Sequence, residues 1–250
     1  VYIGLPNGLH EAWTIAAARA GKHVLCDKSL ALDLAAALRM RAACEEAGVR
    51  LMEGFMVRHH PQWTRVRRLL AEGAVGELRA IDTWLTGAAG TTDHRWSRAL
   101  GGGALYDVTV YGVDLARFLT GEEPEDVRAL GTRRGDVDAS SVVALRFPSG
   151  VVATAAGSLV AAASQGVRIT GTDGVLTLEQ PVVTHFDPTR VHLDRAGARE
   201  TWLLPGANHF LHQIEHFSAC VLDPSRPLGP GEDGVENARV CEAARRQLEA

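Results

Sequence analysis

The sequence predicts an α/β part followed by an α+β part, the second built on a large, mostly antiparallel open sheet flanked by helices. Three observations carry this reading. The first fifty-odd residues alternate short apolar runs with helix-length segments, the pattern of a parallel sheet with crossover helices. From about Val127 to Leu204, β-rich runs succeed one another with hairpin turns between them. Between these halves lies Gly101–Leu119, where three glycines lead into apolar residues at helical spacing (Leu105, Val108, Val113, Leu115, Phe118). With 250 residues, 46% of them hydrophobic, the chain can bury a core of this size.

Taken in order, Val1–Leu5 reads as a buried strand, Pro6-Asn7-Gly8 as a loop, and Leu9–Ala20 as a helix ended by Gly21. Lys22–Cys26 is the second strand, Leu32–Ala47 an alanine-rich helix closed by Gly48, and Val49–Phe55 the third strand. Ligands of such sheets sit beyond the carboxyl ends of the strands. Those ends are Pro6-Asn7, Asp27-Lys28 and Glu53-Gly54, and all three are expected to face one crevice. A helix over Trp63–Glu72, a strand over Glu77–Leu85 and a polar loop over Thr91–Arg98 lead to the glycine-led helix. Strands follow at Val127–Thr132, Ser141–Phe147, Val151–Leu159, Gly166–Thr170 and Val175–Leu178, then as three shorter runs up to Leu204. Pro148-Ser-Gly150 and Thr172-Asp-Gly174 supply hairpin turns. Helices over Asn208–Leu222 and Asp233–Glu249 close the chain. A core strand with no lead-in at Val1 predicts that an N-terminal portion is missing.

A net charge of −4 and a pI near 6.2 give no reason to expect nucleic acid or an anionic membrane as partner. No apolar run approaches the roughly 20 residues of a membrane span. Four scattered cysteines (Cys26, Cys44, Cys220, Cys241) suit reduced thiols in a cytoplasmic protein. His209, His212 and His216 lie at helical spacing, but no carboxylate or cysteine cluster joins them, so no metal site is expected.

The glycine-led helix carries the candidate chemistry. Asp107 and Tyr111 are four residues apart and project from one face. A carboxylate in so apolar a setting needs a partner or a role; capping the helix N-terminus is the plain alternative. Lys28 follows a strand at the ligand side of the parallel sheet, where a lysine serves as proton donor or orienter. A surface lysine at a strand end is the plain reading of that residue taken alone. His59-His60, before Pro61, is expected in a loop near the substrate crevice.

Several stretches together resemble the Gfo/Idh/MocA oxidoreductases, in particular the glucose-fructose oxidoreductase and dihydrodiol dehydrogenase-like branch. They are Leu5-Pro-Asn-Gly-Leu-His10, Ala20-Gly-Lys-His-Val-Leu-Cys-Asp-Lys28, Met52-Glu-Gly-Phe-Met-Val-Arg-His-His-Pro61, Gly101–Gly121 and His216-Phe217. They fall in order and at the family's spacing over almost the whole chain. The resemblance implies part of an NAD(P)-binding Rossmann domain over 1–56 and a substrate-binding, oligomerising domain over 57–250. It implies an oxidoreductase using NAD or NADP on a sugar, polyol or related compound, assembled as a homodimer or dimer of dimers through the large sheet. The alternative is a non-catalytic dimerisation or ligand-sensing module derived from such an enzyme.

Carried over by position, the resemblance makes Lys28, Asp107 and Tyr111 catalytic, with Tyr111 the acid/base. Pro6, Asn7, His10, Asp27 and Lys28 become cofactor-binding, and Arg95, His59 and His60 substrate-binding. For Tyr111 to act as a base a nearby cation must favour its anion, and Lys28 is the expected cation. Three departures stand out. Asp27-Lys28-Ser29 replaces the family's Glu-Lys-Pro, which puts the position of Lys28 in question; Thr109 stands where glycine is usual; and no Gly-x-Gly-x-x-Gly occurs. That fingerprint is expected upstream of Val1, which makes the chain as given a fragment with half a cofactor site.

Overall fold

The computed structural model describes residues 1–229, 231, 232 and 234–249. Its smaller sheet is parallel, with β1 (Tyr2–Ile3), β2 (Val24–Asp27) and β3 (Leu51–Gly54) side by side in that order. The helices α1 (His10–Arg19) and α2 (Leu34–Glu46) connect them. The Asp33 side chain starts α2 by accepting from Ala36 N at 2.7 Å. Successive strand side chains point to opposite faces. Val24, Cys26 and Leu51 accordingly pack with Ala37, Met40 and Cys44 of α2, while Leu25 and Met52 pack with Phe217 of α5 (His209–Leu222).

The larger sheet has eight strands: β4 (Leu78–Ala88), β5 (Asp126–Arg134), β6 (Val137–Arg146), β7 (Val152–Ser158), β8 (Val160–Gly171), β9 (Gly174–Leu178), β10 (Thr189–Arg195) and β11 (Ala198–Leu204). Their spatial order is β11-β10-β9-β8-β4-β7-β6-β5, and β4–β7 is the parallel pair. The expected turns join β6 to β7 and β8 to β9. Two strands, not three runs, lie beyond Leu178, because residues 179–188 form a loop whose Val182 and Val183 line the cleft described below. The closing helix α6 spans Val235–Leu248; Asp233, its expected start, lies outside the described residues.

One face of this sheet is covered by α3 (Pro61–Ala71), α4 (Val110–Thr120) and α6, which bury Trp63, Val113, Leu145, Ile169 and Leu176. Burying each such large apolar side chain contributes about 1.5–3 kcal/mol. Helix α4 approaches β4 and β7 at Gly112, where any Cβ would collide with Thr83 and Ala155. The other face exposes Trp84, Leu130, Val142 and Val152. Helix α6 belongs to both cores: Val235 and Ala238 pack with α2, and Val240, Cys241 and Ala244 with the large sheet.

Candidate active site

A cleft of about 720 Å³ opens where β1 and β2 end. Leu5, Pro6, Asn7, Asp27 and Lys28 line one side, and Asp107, Val108 and Tyr111 line the floor. The opposite wall comes from the end of β4, Val182, Val183 and Phe210.

The glycine-led helix begins with a π turn, Leu105–Thr109, and continues as α4. Lys28 Nζ donates to the Asp107 carbonyl at 2.6 Å and to Asp107 Oδ1 at 3.3 Å. It also lies 5.0 Å from the centre of the Tyr111 ring. Arg95 Nε donates to the other oxygen of Asp107 at 2.7 Å, and its Nη1 to Asp93 at 2.8 Å. Asp107 is thus the shared partner of two cations, which answers the question its apolar sequence setting raised. Gly101, Gly102 and Gly103, all at the bend, let the chain fold back: Gly103 N donates to the Arg95 carbonyl at 2.9 Å. The resemblance puts Arg95 near the site, but its bond to Asp107, twelve residues on and across that bend, exists only in the fold.

Lys28 does not bond the Tyr111 hydroxyl, which donates instead to Met56 Sδ at 3.7 Å, a weak acceptor. Burial, then Asp27 and Asp107, push the Tyr111 phenol well above its ordinary pKa of 10. Burial thus favours the protonated phenol, with the Lys28 ammonium over the ring and not at the hydroxyl. Phe55 fixes the ring edge-on at 5.6 Å.

With Ser29 in the place of the motif's proline, Lys28 lines the cleft. The Lys28–Ser29 peptide is cis, and Ser29 Oγ donates to the Tyr106 carbonyl at 3.1 Å. Thr109 is accommodated because Gly157 faces it, and its hydroxyl bonds Ser141 at 2.8 Å. Asn7 Nδ2 donates to the Gly101 carbonyl at 3.0 Å, joining the loop after β1 to the glycine bend.

Four expected placements are corrected. His10 is fully buried and does not line the cleft; its ring nitrogens lie 2.8 Å from the Ser29 carbonyl and 2.7 Å from that of Leu5, so it braces both loops from behind. His59 lies at the end of a 3₁₀ turn, Met56–His59, that turns it away to stack on His216 at 5.0 Å beside Glu232. His60 is buried as the N-cap of α3, accepting from Gln62 N at 3.2 Å. Glu53 does not face the crevice with Lys28; it points into the protein between β3 and α6.

The residues fit the nicotinamide half of a dinucleotide. The carboxyl ends of β1 and β2 open on the cleft, and no side chain of Gly4 intervenes at the first of them. Comparison with known proteins agrees with this geometry. Residues 1–55 match the family model described as an oxidoreductase family with an NAD-binding Rossmann fold, and residues 63–177 match the GFO/IDH/MocA C-terminal domain. An uncharacterised oxidoreductase of Rhizobium meliloti is 38% identical over 264 residues, covering 100% of this chain and 77% of that protein. A 3-ketoreductase from Actinomadura kijaniata, solved with NADP and TDP-benzene, superposes with a TM-score of 0.93 at 33% identity, over 99% of this chain and 78% of that one. The aldose-aldose oxidoreductase of Caulobacter crescentus, solved with glycerol, gives 0.91 at 33% identity, over 99% and 76%. With both parts of the chain matched in order by that family's own models, and a relative more than a third identical over the whole of this chain, the chain belongs to the Gfo/Idh/MocA family of oxidoreductases.

Proposed function

We propose that Lys28, Asp107 and Tyr111 handle the proton in an NAD(P)-dependent interconversion of hydroxyl and carbonyl groups on a sugar, polyol or related compound. Residues 1–56 hold the cofactor's nicotinamide end through Pro6, Asn7 and Asp27, and residues 57–250 hold the substrate. The observation that carries this is the ammonium of Lys28, lodged between Asp107 and the face of Tyr111 on the floor of a cleft at the strand ends.

A nicotinamide held there would supply or accept the hydride. In reduction, the substrate carbon gains that hydride, and its carbonyl oxygen takes the proton of Tyr111, becoming a hydroxyl. The Lys28 charge over the ring steadies the negative charge the phenol then carries. Two of the N–H groups of Lys28 go to Asp107, and the third has no partner among the described residues, which leaves it for a substrate oxygen. Arg95 keeps Asp107 oriented. Oxidation runs through the same groups in reverse, the hydroxyl proton leaving as the hydride departs.

We read the sheet face bearing Trp84, Val142 and Val152 as the contact between two copies of the chain, since large apolar patches mark interfaces. Buried, unbridged cysteines and the want of any helix long and apolar enough to cross a membrane, among the described residues, accord with a cytoplasmic protein.

Turnover of a panel of aldoses and polyols with NAD and NADP tests the assignment. Tyr111→Phe and Lys28→Ala should each lower kcat; wild-type rates in both would refute it.

A further inference from the structure

Behind the cleft lies a second polar cluster that the mechanism does not use. Glu53, at the end of β3, is buried, with 3% of its surface exposed. Its Oε1 accepts the Leu30 N–H at 2.7 Å, and its Oε2 accepts from Asn237 Nδ2 at 2.8 Å. The same Asn237 nitrogen donates to Asp114 Oδ1 at 2.9 Å. Asp114 takes two further bonds from Arg58, at 2.9 and 2.5 Å. Arg117 donates to the Asn237 oxygen and pairs with Glu123. The backbone carbonyl of Glu232 accepts from Glu53 N at 2.7 Å, and Gly234 packs so close that a Cβ there would lie 2.9 Å from Glu53 Oε2. Among the described residues, Cys26 on β2 and Cys241 on α6 are further titratable neighbours.

These bonds reach both halves of the site. Leu30 is two residues beyond Lys28, on the same loop. Asp114 follows Tyr111 by three residues, one turn along α4. We propose that Glu53 is a positioning residue: from behind the cleft it holds the loop carrying Lys28 against the helix carrying Tyr111, through Leu30 on one oxygen and Asn237 with Asp114 on the other. This rests on reading Lys28 and Tyr111 as the proton-handling pair.

Both groups facing the carboxyl are N–H donors, so only the ionised form accepts from both at full strength. Burial, aided by Asp114, pushes Glu53 up to about 7, against the bonds from Asn237 and Leu30 and the charge of Arg58. The hold on Lys28 therefore slackens as pH falls through neutrality.

Glu53→Gln is the direct test. The glutamine oxygen still accepts from Leu30, but its amide group meets that of Asn237 donor to donor, which breaks the link to α4. Since a misplacement of about 1 Å costs on the order of 100-fold, kcat should fall roughly 10- to 100-fold. KM and cofactor Kd should stay within about threefold. The acid limb of the wild-type kcat profile near pH 7 should disappear. In Glu53→Gln/Tyr111→Phe the loss should be no greater than in Tyr111→Phe alone, as expected for coupled residues. A folded Glu53→Gln protein with wild-type kcat and an unchanged acid limb overturns the proposal, as do fully additive losses. If Glu53→Gln does not fold, Asn237→Ala must reproduce the kcat loss, and an intact kcat there overturns it. Full activity in Tyr111→Phe would instead refute the reading of the site, leaving Glu53 with nothing to position.

Discussion

The cluster in the cleft and the cluster behind it are built alike and behave differently. Asp93, Arg95, Asp107 and Lys28 alternate in charge, and behind them two carboxylates, Glu53 and Asp114, and two guanidiniums, Arg58 and Arg117, gather around Asn237. The first is open: the side chains of Arg95 and Asp107 are 36% and 22% exposed, and one Lys28 N–H has no partner among the described residues. In the second the Arg58 and Asp114 side chains are 5% and 0% exposed, and each carboxylate oxygen of Glu53 and Asp114 is engaged by protein. An ion cluster in contact with water can exchange protons and partners at small cost. One removed from water holds its geometry because any unmade bond leaves a desolvated charge. On the function proposed above, the same chemistry serves reaction in one place and placement in the other.

The largest effect that would sharpen this contrast is kinetic. Tyr111→Phe should lower kcat by roughly 10²–10⁴, the usual range for general acid–base catalysis, with cofactor Kd unchanged by calorimetry. Because Tyr111 holds its proton, the reductive rate should show no alkaline loss from this residue below pH 10.

The next is thermodynamic. Asp114→Ala removes the bidentate carboxylate from Arg58 and should cost about 3–5 kcal/mol in urea unfolding, as for other buried pairs broken from one side. Arg95→Ala, in the open cluster, should cost no more than about 1 kcal/mol while still depressing kcat. Similar costs for both substitutions would break the comparison.

Stability against pH gives a smaller, two-sided signal. Burial holds His59 and His60 down at about 4, so the fold favours their neutral forms. That contribution is present above the unfolded value near 6.5 and is lost as pH falls toward 4. Glu53, raised to about 7, acts in the opposite sense: its contribution is present below the ordinary carboxylate value and lost as pH rises through 7. Thermal melts should show Glu53→Gln relieving the alkaline loss and leaving the acid loss in place. The smallest effect belongs to the outer sheet face, where Ala156→Asp should shift light scattering from dimer to monomer with little change in the melt.

Much of this was written in local pattern. Short apolar runs alternating with helix-length segments marked the parallel strands, the Pro-Ser-Gly and Asp-Gly turns joined the right strands, and the apolar run after Gly101-Gly-Gly placed Asp107 and Tyr111 on one helix face. Those features depend on neighbours within a few residues, and a sequence displays such neighbours directly. Even the need of Asp107 for a partner was legible, because a carboxylate among apolar residues is costly whatever surrounds it.

Which partner answers a charge is decided by chain segments far apart in sequence. Glu53 ends a strand as Lys28 nearly does, and by position alone both face the crevice; the approach of α6, which brings Asn237 from 184 residues away, is what turns Glu53 inward. His59 and His60 stand next to the motif that ends β3, yet one 3₁₀ turn sends the first to His216 and α3 claims the second as its cap. The sequence by itself determined the elements, their faces and the residues able to carry a proton. Tertiary structure alone decided which of them share the cleft, because desolvation and hydrogen-bond partners exist only once distant segments have packed.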